Sequence, residues 1–206
     1  MLDAMLRRLA GHPALDFMNT VDPREGERRV DYLRSFNDLV GWAQAAGVLT
    51  RTEARQAAQA TAVDERAAAR ALDRAIALRE AIYVIFAAVV ARRPASADAI
   101  DELEAAYRQA LAHARLTRHA SGFSWQLHSG LDSVRSHIAR TAVALLESDR
   151  LGRIKRCPGG SGDCGWLFLD RSKNASRRWC SMEGCGNCAK LRRFRRRQTS
   201  APRQRR

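Results

Sequence analysis

Apolar positions recur at helical spacing through most of the first 150 residues. Phe36, Leu39, Val40 and Ala43 lie three and four apart, behind a Ser35/Asp38 capping box and ahead of a stop at Gly47. Thr50 with Glu53 repeats the capping pattern and opens a second, alanine-rich helix. Over 64–92 one long helix is expected, since Leu72, Ala75, Ile76, Arg79, Ile82, Tyr83, Phe86, Val89 and Val90 keep a 3.6-residue period and Pro94 closes it. Ser96 caps a further helix to about Ala112, and Asp132–Ser148 is helical with Val134, Ile138, Ala142 and Leu145 on one face. Between these two, β-branched and aromatic residues flank Ala120-Ser121-Gly122, which predicts a small hairpin. Ala14–Thr20 fits either a short strand or the end of a helix, and a polar loop follows over 22–27. There is no internal repeat and no sustained heptad seam.

Composition divides the chain. Of its 206 residues 46% are hydrophobic, enough for a packed core. The net charge is +14, yet residues 151–206 hold 16 basic and 3 acidic residues while residues 1–150 are nearly balanced. All five cysteines lie in the same last quarter. A near-neutral α-rich domain over 1–150, a small basic cysteine module over 151–198 and a disordered basic tail over 199–206 are therefore expected. Arg outnumbers Lys 33 to 3, which marks a GC-rich coding background and weakens arginine count as evidence. The longest apolar run, Ala81–Ala91, is about half of what a membrane span needs. No signal peptide is evident, so a cytoplasmic, nucleoid-associated protein without membrane contact is expected. In a reducing compartment the cysteines read as metal ligands rather than disulfides.

The cysteine spacing is Cys157-x6-Cys164-x15-Cys180-x4-Cys185-x2-Cys188. Four thiolates hold a tetrahedral Zn²⁺, and the metal supplies folding energy that a segment with few large apolar residues lacks. Two sets fit: Cys157, Cys164, Cys180 and Cys185, or the same with Cys188 in place of Cys180, because residues i and i+3 share a helix face. Cys164-Gly165 suits a knuckle turn, Trp166–Leu169 a strand, 170–174 a turn, and Arg177-Arg178-Trp179 a returning strand. A helix opened by Cys185 would run through Arg197. Knuckle, hairpin and ligand-bearing helix describe a treble-clef finger with one structural zinc.

Cys164-Gly165-Trp166-Leu167-Phe168-Leu169-Asp170, and Arg177-Arg178-Trp179-Cys180-Ser181-Met182 followed by Cys185-Gly186-Asn187, resemble the CGNR zinc finger. Leu15-Asp16-Phe17-Met18-Asn19-Thr20 and Leu78-Arg79-Glu80-Ala81 resemble the ABATE domain that precedes that finger. The resemblance covers nearly the whole chain. It implies a stress-induced transcriptional regulator whose N-terminal domain binds an unknown ligand and whose treble clef binds DNA. By position the family's zinc ligands fall on Cys157, Cys164, Cys180 and Cys185. One departure stands out: the arginine that closes the family's four-letter motif is Cys188 here, which removes one phosphate or base contact and adds a thiol near the metal.

Lys190, Arg192, Arg193, Arg195, Arg196 and Arg197 decorate the expected finger helix, with Leu191 and Phe194 as its apolar side; Arg203, Arg205 and Arg206 continue into the tail. With Arg177, Arg178 and Asn187 these are the candidate nucleic-acid contacts, since guanidinium groups bind phosphate bidentately and read guanine. RNA is the alternative, with Trp166, Phe168 and Trp179 as stacking surfaces in an RNA- or ribosome-associated stress protein. No HExxH, P-loop, GxSxG or dinucleotide fingerprint is present, and no enzyme is expected. The resemblance makes Asp16, Asn19 and Arg79 the candidate ligand-binding residues, the first two in a polar cluster and Arg79 on an apolar helix face with Asp16 as a candidate partner. A homodimer stays open, because absent heptads remove only the coiled-coil route.

Overall fold

The computed structural model describes residues 9–26, 29–120, 122–127, 130–160 and 163–199. Helix α1 (Pro13–Met18) starts at Pro13, whose fixed φ suits the first helical turn, and every residue from Ala14 to Met18 is buried. The Ala14–Thr20 segment is thus mainly helix, with Asn19 as its C-cap. Two-residue strands β1 (Val21–Asp22) and β2 (Val30–Asp31) then pair across the polar loop.

Helices α2 (Phe36–Ala45) and α3 (Arg51–Val63) both begin with complete capping boxes, Ser35 with Asp38 and Thr50 with Glu53. Each box satisfies backbone N–H groups that the first helical turn leaves open. Helix α4 (Glu65–Val90) is one uninterrupted 26-residue rod capped by Asp64, about 39 Å long at 1.5 Å per residue. Helix α5 (Ala97–Ala112) follows, although the Ser96 side chain makes no capping bond. A hairpin of β3 (Arg115–His119) and β4 (Gly122–Gln126) leads to α6 (Ser133–Leu146). Ser121 of the expected turn lies outside the described residues.

Small α1 sits at the centre. It packs on α4, on α6 and on a strand from the cysteine module. Leu15, Phe17, Leu78, Ile82, Phe86, Ile138 and Leu145 fill the core, and the Phe17 and Trp42 rings meet with centroids 5.0 Å apart. The same continuous core takes in Ile154, Trp166, Leu167, Phe168 and Leu169.

The cysteine module begins with β5 (Ile154–Arg156), antiparallel to β6 (Leu167–Leu169), with Ile154 opposite Leu169 and Arg156 opposite Leu167. This corrects the expected strand order. The segment 177–179 is irregular and does not return as a strand; the partner of β6 precedes the first cysteine. The reason lies in the knuckle, which closes β5 onto β6 through Cys157 N–H donating to Trp166 O (2.8 Å) and Gly165 N–H donating to Cys157 O (3.2 Å). A π-helical turn (Met182–Gly186) leads into α7 (Asn187–Thr199), close to the expected helix. Beyond Thr199 the expected basic tail, with Arg203, Arg205 and Arg206, lies outside the described residues.

Candidate metal centre and nucleic-acid interface

Four segments converge on one point. Cys157 leaves β5, Cys164 enters β6, Cys180 ends the long loop and Cys185 lies in the π turn before α7. Their sulfur atoms all lie within 4.8 Å of one another. The Cys164–Cys180 and Cys180–Cys185 separations are both 3.7 Å. A tetrahedral Zn²⁺ with Zn–S of about 2.3 Å requires S–S edges of about 3.8 Å, so the donor set fits one structural zinc with all four positions filled by protein. Cys188 is exposed and outside this group, so the set containing Cys180 is the one that forms.

Crowding dominates the thiol chemistry. Hydrogen bonds from Cys164 and Cys180 push the Cys157 thiol down, while Cys164 and Cys180 are pushed up by bonding to Cys157 and by burial. Burial and the Cys157 charge likewise push Cys185 up. Four thiolates in this space need a cation among them, and a bound metal deprotonates its thiol ligands.

Glycine sets the knuckle. Gly159 has φ +71°, and a Cβ there would lie 2.8 Å from Cys164 N. Gly159 N–H also donates to the Cys157 sulfur at 3.4 Å. Gly165 has φ +66° and lies against Arg24 and Glu25 of the β1–β2 loop.

The loop that carries Cys180 is organised by Asp170, a residue that sequence reasoning passed over. Asp170 is fully buried at the end of the apolar run through β6. It accepts from Lys155 Nζ (2.7 Å), from the Ser172 amide and hydroxyl, and from the Arg177 amide (3.0 Å). Burial alone would raise its carboxyl pKa, but these donors hold it well below the usual carboxylate range. The available signal was a charge closing a wholly apolar strand.

Arg177 faces inward. Its guanidinium donates to Trp179 O (2.9 Å), Leu9 O (2.7 Å) and Cys180 O, and stacks 4.4 Å from the Phe168 ring centroid. Arg178 is exposed and lies over the Trp179 ring. Of the three aromatics considered for stacking, Trp166 and Phe168 are buried and Trp179 is half-buried.

The three candidate ligand-binding residues join the helical domain to itself and to the finger. Asp16 accepts from the Ala10 amide at 2.9 Å. The Asn19 amide pairs with the backbone of β6, donating to Leu167 O (2.9 Å) and accepting from Leu167 N–H (3.3 Å). Arg79 is 2% exposed and forms a two-point bond with Asp31 (2.8 and 2.6 Å), with further bonds to Thr20 and Glu80. Asp31 thus takes the role for which Asp16 is the candidate in sequence. Burial would lower the Arg79 pKa, but the two carboxylates raise it above its ordinary value. Around this joint Trp166 Nε1 donates to Val21 O, Tyr83 Oη to Gly165 O, Arg24 N–H to Cys164 O and Leu169 N–H to Ala10 O.

Helix α7 stands on the metal centre through Cys185, two residues before its start, where Asn187 Nδ2 bonds Glu183 O. At 100° per residue Lys190, Arg192, Arg193, Arg196 and Arg197 share one face, and Leu191, Phe194 and Arg195 lie on the other side. Arg192 Nη1 donates to Gly160 O of the knuckle at 2.7 Å, and Gly160, Ala189, Arg192, Arg193, Arg196 and Arg197 line an open cleft. A Cβ on Gly160 would fall 2.3 Å from that of Cys188, so knuckle and helix meet at this glycine.

The architecture defines a helical domain fused through a common core to a four-cysteine structural zinc finger. The family model for ABATE, described as "Putative stress-induced transcription regulator", matches residues 11–149, and the CGNR zinc finger model matches residues 153–198. The chain belongs to the ABATE family and carries a CGNR zinc finger. Both are regulatory or zinc-finger families rather than enzyme families. No curated protein matches the chain. Among the described residues no helix is long and apolar enough to cross a membrane.

Proposed function

We propose that the protein is a one-component transcriptional regulator that binds DNA through α7. The observation that carries this is the face formed by Lys190, Arg192, Arg193, Arg196 and Arg197. It holds five cations and no carboxylate, opens onto a cleft beside the knuckle, and is fixed at its start by a zinc ligand. Such a face matches a run of phosphates, and the zinc removes the entropy cost of ordering the helix start. Asn187 falls on the opposite side of α7, and Arg178 lies over the Trp179 ring on the preceding loop. Arg177 acts from behind, bracing the Cys180 loop. The buried Trp166 and Phe168 weaken the alternative of RNA stacking by the finger.

The helical domain bears directly on the finger through α1 and Asn19, which gives a ligand or partner of that domain a mechanical route to α7. In this reading Asp16, Asn19 and Arg79 transmit rather than bind. The test is selection from a random duplex pool with zinc-loaded protein at about 150 mM salt. An enriched motif supports the proposal, and its symmetry reports whether a homodimer binds. Engagement of five phosphates predicts a roughly 500-fold affinity loss between 50 and 200 mM salt. Salt-independent binding, or none, would defeat the proposal.

A further inference from the structure

The β3–β4 hairpin is built unlike the rest of the helical domain. Every residue of its strands is exposed except half-buried Thr117, and neither strand pairs with a third. Leu116 opposes Trp125 and Arg118 opposes Phe123, so these four side chains share one face of the ribbon. Leu116, Phe123 and Trp125 are 57%, 68% and 51% exposed. Trp125 is the only exposed tryptophan among the described residues; Trp42 and Trp166 are buried and Trp179 is half-buried. Exposed aromatics clustered on a small ribbon mark an interaction surface.

Charge selects the occupant. From 112 to 131 the sequence has no Asp or Glu, and it carries Arg115 and Arg118. Elsewhere in the domain arginines meet carboxylates: Arg24 with Glu80, Arg74 with Asp132, Arg79 with Asp31, Arg108 with Glu104 and Arg135 with Glu102. Among the described residues no carboxylate pairs with Arg115 or Arg118. Two copies of the ribbon would bring like charges together, so a second copy of this chain fits poorly. An anionic polymer with flat apolar faces fits both features, because arginines take phosphates while aromatic rings stack on bases or sugars. The ribbon spans about 16 Å, and a two-stranded ribbon is of a size that a major groove admits.

We propose that the β3–β4 ribbon is a second nucleic-acid contact, carried by the helical domain and used together with α7. The identity of the polymer rests on the DNA-binding reading of the finger; the ribbon's chemistry does not.

The experiment uses the full zinc-loaded chain and a fluorescein-labelled random duplex of about 30 base pairs, titrated from about 50 to 200 mM KCl. R118A, which removes the arginine on the aromatic face, is expected to reduce the slope of log affinity against log salt by about 0.9. F123A/W125A is expected to bind roughly tenfold more weakly. Both sites are exposed, and thermal melts check that the variants fold. The wild type minus W125F fluorescence difference should be quenched by duplex. Unchanged slope, affinity and quenching, while R192A/R193A/R196A/R197A loses binding, would overturn the ribbon proposal and leave the finger reading standing. Loss in the ribbon variants alone would do the reverse, and a wild type that ignores duplex would end both. A Trp125 response to phosphatidylglycerol vesicles but not to duplex would make the ribbon a membrane-surface contact and overturn the proposal.

Discussion

Asn19→Ala tests whether helical domain and finger are one cooperative unit. The Asn19 side chain is buried and makes two hydrogen bonds to the Leu167 backbone, 2.9 and 3.3 Å long, across the joint between α1 and β6. Truncation leaves a buried carbonyl and a buried amide without partners at Leu167, the first residue of β6. Each unmet backbone group costs about 1–3 kcal/mol, and partial relaxation brings the expected total to about 3 kcal/mol. For a chain of this length that lowers the melting temperature by roughly 6–12 °C. The assay is thermal and urea unfolding followed together by far-ultraviolet circular dichroism and by zinc release to a coloured chelator. Because the core is continuous, both signals should move together and stay coincident in the variant. Two separated transitions, with the zinc signal unchanged by N19A, would refute the shared core and restore an independent finger.

Zinc analysis should find one metal per wild-type chain and per Cys188→Ser chain, and none for C157S, C164S, C180S or C185S; metal loss in C188S would contradict the ligand set. Gly159→Ala should weaken zinc retention against a chelator and cost about 1–3 kcal/mol, because φ is +71° and the new Cβ meets Cys164 N, whereas Gly152→Ala, with open space around it, should be near neutral. Equal effects at the two glycines would remove the knuckle argument. Burial, with Arg150 and Arg171 nearby, pushes the His12 pKa down to about 4. The unfolded chain therefore takes this proton first, near pH 6.5, and the stability held by neutral His12 is full above that pH and is lost as pH falls toward 4. Melting temperatures of His12→Asn should fall less steeply than wild type across that window, and parallel curves would contradict the assignment.

Much of the molecule is legible from local pattern. The Ser35/Asp38 and Thr50/Glu53 boxes, the unbroken period of α4 and the β3–β4 hairpin all depend on residues within a few positions of one another. The zinc ligands are legible for a related reason, since thiols have few alternative uses in a chain expected to be reduced, and their spacing limits the sets to two. The strand order of the finger was not legible. Whether Trp166–Leu169 pairs forward with 177–179 or backward with 154–156 depends on how the knuckle closes, and both segments suit a strand. Arg177 shows the same limit: a guanidinium in a basic segment looks the same in sequence whether it faces phosphate or three backbone carbonyls.

By itself, then, the sequence determined the helices, the metal chemistry and the concentration of positive charge on the last helix, because periodicity, capping and ligand type act at short range. Only the tertiary structure decided that Asp31 rather than Asp16 holds Arg79 and that Asn19 clamps β6, while the Cys180 set that the family resemblance implied is the one that forms. The Arg79–Asp31 and Asn19–Leu167 contacts join residues 48 and 148 positions apart, and burial in a common core, rather than any local preference, selects among the partners that charge and hydrogen bonding would equally allow.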